Sequence, residues 1–209
     1  MINHQSRWPR GKVLGGSSTL NYMLYIRGNK RDYDLWAELG NEGWSYDEIF
    51  PYFVKSEDNR DPDVLTNGYH GSGGYLTVST PHYTTPIAGA FLEAAKLFGY
   101  PNIDLNANQQ TGFAIPQGTI RRGARCSTAK AFLRDIAGRP NLDVHVHAHA
   151  TKVLFNHHKR AIGVKFYRDG AEHSVFASRE VILSAGAVNS PQLLMLSGIG
   201  PRHHLEELG

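Results

Sequence analysis

The chain has 209 residues, 41% of them hydrophobic and 20% charged, which suits one or two globular domains with a real core. A formal net charge of +3, without a run of basic residues longer than two, argues against nucleic acid or a membrane surface as partner. A single cysteine, Cys126, excludes an internal disulfide, and there is no transmembrane segment of about 18 apolar residues.

Residues 1–10 are polar and lack the apolar stretch of a secretory signal, so the compartment stays unassigned. The first informative stretch is Gly15-Gly16-Ser17-Ser18-Thr19. Glycines let a ligand approach the backbone closely, and the hydroxyls can cap a helix. A helix start with free N–H groups favours anions such as phosphate, though an ordinary loop-to-helix turn fits the same residues. The pattern predicts a helix over 20–27, a second over 32–39 closed by Gly40, and a third after Ser45. Glu48, three residues past Ser45, completes a capping box, and Pro51 is expected in the first turn.

Residues 57–74 are polar and glycine-rich and read as a linker and domain boundary. A strand is expected over 75–79 and a helix over 86–98, where Ile87, Ala90, Phe91, Ala94, Ala95 and Phe98 recur at helical spacing before Gly99. Residues 113–120 read as a strand, and Ser127 opens a helix reaching about residue 136. Short runs at 142–148, 152–156, 161–167 and 173–177 predict a small antiparallel sheet. Residues 180–187 read as a buried, parallel-type strand, followed by a helix with Pro191 in its first turn.

Several constellations compete for a role. His145, His147 and His149 alternate and on one strand would share a face, as a zinc site needs, but no acidic or thiol companion stands at ligand spacing. The bland alternative is a solvated polar strand, and no metal is assigned. The cluster Arg121, Arg122 and Arg125 suits either a phosphate or a turn flanking the Ser127 cap. Cys126 reads as a structural thiol, and Trp8, Trp36 and Trp44 as packing residues. Ser184 and Ser190 sit in no Gly-x-Ser-x-Gly elbow, which leaves a serine hydrolase unsupported.

Two segments together resemble the signatures of the glucose–methanol–choline (GMC) oxidoreductase family. One runs from Gly11 through Gly15-Gly16-Ser17-Ser18 to Asn21 and on to Arg27-Gly28-Asn29-Lys30-Arg31-Asp32-Tyr33-Asp34. The other is Gly186-Ala187-Val188-Asn189-Ser190-Pro191-Gln192-Leu193-Leu194 through Gly200-Pro201. Between them, Arg125-Cys126-Ser127-Thr128-Ala129-Lys130 is similar to the family's middle segment, and the first signature is most similar to the insect glucose-dehydrogenase-like branch.

The resemblance implies an α/β (α+β) fold: an incomplete FAD-binding Rossmann-like domain with part of a substrate-binding domain. It implies an enzyme that oxidises an alcohol or sugar to a carbonyl compound, with hydride passing to FAD. Carried over, Val13, Gly15, Gly16, Ser17, Ser18, Asn21, Tyr22, Met23 and Leu24 would line the flavin. Val153 would meet the adenine through its backbone, and Ala185 and Gly186 would pass beside the cofactor. Some relatives link flavin through a histidine where this chain has Leu20, so FAD is expected to be non-covalent.

The implied division is 1–56 as flavin-contacting loop and helices, 57–118 as partial substrate region, and 119–209 as the returning FAD domain. No Gly-x-Gly-x-x-Gly turn occurs, and the family's catalytic histidine would lie downstream of the second signature. No catalytic residue is therefore assigned, and the sequence reads as an interior piece of a longer enzyme. The alternative is a non-catalytic flavin-fold module without turnover of its own.

Overall fold

In the computed structural model, which describes residues 5–209, short helices alternate with three small sheets. Residues 1–4, the start of the polar opening, lie outside the described residues. The chain divides into two compact units, Met1–Leu142 and Asp143–Gly209.

The first unit opens with a 3-10 turn, Gly16–Thr19, set off by Gly15 at φ 91°. The helix expected over 20–27 does not form. Those residues run extended because their backbone groups pair elsewhere: Tyr25 N–H donates to Gln117 O (2.9 Å) and Thr119 N–H to Met23 O (2.8 Å). Tertiary pairing overrides the local preference.

Helix α1 (Lys30–Glu38) follows Asn29, whose side chain accepts from Arg31 N–H while Asp32 reaches back to the cap. Gly40 ends it at φ 96°. Helix α2 (Tyr46–Ser56) has the Ser45/Glu48 capping box, but Pro51 stands at its sixth residue rather than in the first turn. The ring there removes one i to i−4 bond. The two helices pack through aromatic edges, Tyr33 and Phe53 having centroids 5.6 Å apart, and Trp44, just before α2, lies 5.7 Å from Trp36.

The expected linker is the largest departure. Strand β1 (Glu57–Asn59) is buried at every residue and pairs in parallel with β2 (Leu76–Val78), with the short helix α3 (Pro62–Leu65) between them. Composition suggested solvent, but the carboxylates and amides here are satisfied by one another. By contacts, the boundary falls after Leu142, not inside 57–74.

Helix α4 (Pro86–Leu97) forms as expected and ends at Gly99, yet only Ala95 on it is buried, and Ile87 and Phe91 are exposed. The stretch 113–120 gives isolated bridges rather than a strand, through Phe113 with Asn102 and Gly118 with Leu24 and Ser79. Strands β3 (Ile120–Arg121) and β4 (Ala124–Arg125) make a tight hairpin, and α5 (Thr128–Phe132) starts under a Ser127 cap. Cys126 is buried between them, as the structural reading expected.

The second unit is built on an antiparallel sheet of β5 (His149–Phe155), β6 (Ala161–Arg168) and β7 (Ala171–Phe176), with β6 central. The first expected run, 142–148, is not a strand, and His147 at φ 56° interrupts it. His145 and His147 therefore share no strand face with His149, and no group able to hold a metal occurs among the described residues.

The strand expected over 180–187 is absent, and Ile182 is 77% exposed rather than buried. A parallel strand exists only through its neighbours, and none of the described strands pairs with this segment. Instead α6 (Gly186–Leu196) begins directly at Gly186, which puts Pro191 inside the helix rather than at its start. Helix α6 packs on β5, where Leu193 and Val153 are buried, and α7 (Arg202–Leu208) ends the chain.

Candidate functional site

Residues 13–24 form a continuous open segment on the first unit. Its turn is fixed by small residues. Gly15 has a left-handed φ, and a Cβ there would stand 3.1 Å from both the Ala129 Cβ and the Thr19 methyl. At Gly11 a Cβ would collide with Gly16 O at 2.1 Å, so no side chain fits. Gly16, at φ 53°, has nothing within 4 Å of the Cβ position and faces open space.

The carbonyls of this turn are bonded within the turn or by residues of β4 and α5. Val13 O accepts from Gly16 N–H (2.9 Å), and Ser17 O accepts from Leu20 and Asn21 N–H. Gly15 O accepts from the Ser18 and Thr128 hydroxyls, and Gly16 O from the Thr19 hydroxyl. Ser18 O accepts from the Arg125 guanidinium at 3.0 Å. Ser17 Oγ takes Gly11 N–H (3.2 Å), and Ser18 Oγ takes Thr128 N–H at the start of α5 (3.0 Å).

Beyond the turn, the backbone displays apolar side chains to solvent. Val13, Leu14, Leu20, Leu24 and Ile26 are all about half exposed or more, and Tyr22 is 92% exposed. Met23 adopts a left-handed φ of 64°, supported by its N–H donating to Asn21 Oδ1 at 3.0 Å. The result is a turn with its acceptors spent, beside a row of bare apolar groups. Such a surface suits a ligand that is anionic at one end and flat and apolar at the other.

The extended segment is anchored at its far end by a buried charged cluster. Arg27 Nη2 and Glu57 Oε2 are paired at 2.5 Å, with both side chains buried. The two nitrogens of His70 bond Glu57 Oε1 and Asp104 Oδ2, each at 2.8 Å. Asn106 accepts from Arg27 N–H (2.8 Å) and donates to Tyr25 O (3.0 Å), which ties the backbone down twice. Burial opposes the charge on His70, but Glu57 and then Asp104 outweigh it and hold its pKa above the usual value. Burial likewise pushes Glu57 up, yet bonds from His70, Gly71 N–H and Asn59, with the Arg27 charge, bring it below the usual range.

Val153, Ala185 and Gly186 belong to the second unit. Val153 is a core residue on β5, and its N–H donates to Ser197 Oγ at 2.8 Å, away from β6. Ala185 is exposed and its N–H donates to Ser190 Oγ at 3.0 Å. Gly186, at φ 91°, is the first residue of α6, with open space at its Cβ position.

Sequence reasoning did not connect Arg125 and Thr128 with the turn, since more than a hundred residues separate them from Ser18. The Arg121–Arg125 cluster was the available signal. Its members part company in the structure: Arg121 binds Thr77 Oγ1 and Tyr75 O, whereas Arg125 turns to Ser18 and Asn21. Glu57, His70 and Asp104 were hidden within and beyond the supposed linker.

Comparison with known proteins finds relatives that align with nearly the whole chain. The chain is 47% identical over 203 residues to Glucose dehydrogenase [FAD, quinone] of Drosophila melanogaster, an alignment covering 96% of this chain and 32% of that protein. Against mitochondrial choline dehydrogenase of Mus musculus it is 47% identical over 202 residues, covering 96% and 33%. The chain thus spans about a third of the length of these curated relatives.

Among solved structures, an FAD-dependent oxidoreductase from Chaetomium thermophilum superposes with a TM-score of 0.83 at 35% identity, covering 96% of this chain and 37% of that one. Pyridoxine 4-oxidase from Mesorbium loti gives 0.83 at 34% identity, covering 95% and 39%. The family model described as GMC oxidoreductase matches residues 2–209, and the chain belongs to that family.

Proposed function

We propose that this chain supplies the flavin-facing part of an FAD-dependent oxidoreductase acting on the CH–OH group of an alcohol or sugar. The observation that carries the reading is the turn at 15–19, its carbonyls already bonded, continued by the exposed apolar row from Leu20 to Leu24. These residues fit FAD. The space at Gly16 admits close approach to the backbone, the Ser17–Ser18 turn lies beside the Arg125 charge, and the apolar row can cover a flat ring. FAD, when bound, supplies the hydride acceptor.

In this reading Val13, Gly15, Gly16, Ser17, Ser18, Asn21, Tyr22, Met23 and Leu24 bind and orient the cofactor and exclude water from its face. The family resemblance also assigns Val153, Ala185 and Gly186 of the second unit to the cofactor; the Val153 N–H is bonded to Ser197 Oγ, and Gly186 has open space at its Cβ position at the start of α6. Leu20 has no nucleophilic atom, so FAD is held without a covalent bond. The proton-accepting group and the substrate contacts are assigned to no residue of this chain.

The test is purification of the natural protein that carries this sequence, followed by a visible absorption spectrum and denaturation in acid. A near-stoichiometric flavin released intact as FAD, and bleached by an alcohol or sugar without oxygen, supports the reading. A colourless protein that takes up no added FAD overturns it. Flavin that stays with the denatured protein overturns the non-covalent part alone.

A further inference from the structure

The Arg125 side chain reaches from β4 to the turn and makes two bonds with one nitrogen: Nη1 donates to Ser18 O (3.0 Å) and to Asn21 Oδ1 (2.9 Å). Asn21 Oδ1 receives a second donor, Met23 N–H, at 3.0 Å. Two donors converging on one amide atom identify it as the oxygen, since the amide nitrogen cannot accept. The Asn21 amide is therefore not free to turn over. Its Nδ2 carries two protons on an exposed residue. Two donors hold this polarity: the local Met23 N–H, and a guanidinium from a hairpin more than a hundred residues later, which adds a charged partner.

We propose that Arg125 is a positioning residue, which fixes the Asn21 amide so that its Nδ2–H donates to an acceptor of the cofactor ring while the Ser18 carbonyl is drawn away from it. The proposal rests on the FAD reading above. Arginine suits the task because its charge strengthens both bonds and its planar head is rigid. Without it, only the Met23 N–H holds the Asn21 amide against a flip that presents its oxygen, and the Ser18 carbonyl loses its Arg125 partner. Both changes place acceptors where a ring rich in acceptors must bind. Thr128, which donates to Gly15 O at 3.1 Å, does the same for the other end of the turn.

The test uses the natural protein, stripped of flavin and titrated with FAD. Arg125→Ala is expected to raise the FAD dissociation constant about tenfold or more, with Arg125→Lys recovering part of the loss. Asn21→Asp keeps an acceptor for Arg125 and Met23 but removes the outward donor. It is expected to leave the melting temperature of the flavin-free protein unchanged or higher, while weakening FAD at least as much and shifting its absorption spectrum.

Unchanged FAD affinity in both variants, with wild type binding, overturns the role of Arg125 and spares the parent reading. Failure of wild type to bind FAD overturns the parent reading itself. Weak binding by Arg125→Ala alone, with Asn21→Asp normal, also overturns the proposal, since Arg125 would then act only on folding. If Arg125→Ala does not fold, Asn21→Asp decides.

Discussion

Two regions joined by a few residues of backbone treat their side chains in opposite ways. Around Glu57, the first unit buries four ionisable groups, Arg27, Glu57, His70 and, partly, Asp104, and satisfies them with one another. Along residues 13–24 it leaves Val13, Leu14, Leu20, Tyr22 and Leu24 open to water. Ordinary folding does the reverse, covering apolar groups and solvating charges. The knot buys rigidity for the segment that begins at Tyr25. The open row is spare surface held ready at the end of that rigid segment.

The contrast can be broken most forcefully at the knot. Glu57→Ala removes the shared partner of Arg27 and His70 and leaves a buried cation without its counter-charge. A loss of about 3–5 kcal/mol is expected in urea unfolding of the natural protein. A loss under about 1 kcal/mol would mean that water or a neighbouring carboxylate takes over.

At the turn, Gly15→Ala meets both a left-handed φ and the Ala129 and Thr19 contacts, and about 1–3 kcal/mol is expected from the melting temperature. FAD uptake should fall with it. Gly16→Ala sharpens the comparison: it carries the same backbone penalty but meets no neighbour, so it should cost less.

Stability should also respond to pH through the knot, with a definite sign. His70 has a raised pKa in the fold, so its contribution is complete below its ordinary value of about 6.5 and fades as pH rises through the folded value. Glu57 and Asp104 are lowered, so theirs is complete above the ordinary carboxylate range and fades as pH falls through the folded values. Urea midpoints across pH should therefore peak between the two, and His70→Gln should flatten the alkaline limb. An alkaline limb of equal slope in that variant would remove His70 as its cause.

The smallest stability effect is expected in the open row. Tyr22→Ser and Leu24→Ser should stay within about 0.5 kcal/mol of wild type, because these side chains are already in water. Their FAD affinity should nevertheless drop measurably. Equal FAD affinity would show that the row covers something other than the cofactor.

Much of the local structure was legible in the sequence because its causes are local. The Ser45 cap, the ends at Gly40 and Gly99, and the hairpin of β6 and β7 depend on residues a few positions apart. Family membership was legible too, from the two signature segments. What misled were features whose cause lies far along the chain. The segment 57–74 looks like a linker until Arg27, Asp104 and Gln117 arrive to bond its polar groups. The segment 20–27 has helical spacing but is claimed by the backbone of 117–119. Residues 180–187 have the composition of a parallel strand without a pairing partner among the described residues.

The sequence by itself determined the turn at Gly15-Gly16-Ser17-Ser18, since glycine is favoured at the left-handed φ of both glycines and at the crowded Cβ position of Gly15. Only the tertiary structure decided which way that turn faces. Donors inside the turn satisfy the Val13, Gly16 and Ser17 carbonyls, but the Ser18 carbonyl, and in part that of Gly15, are bonded by Arg125 and Thr128, brought from β4 and α5. Hydrogen-bond direction is a property of paired groups in space, and no spacing along the chain encodes it.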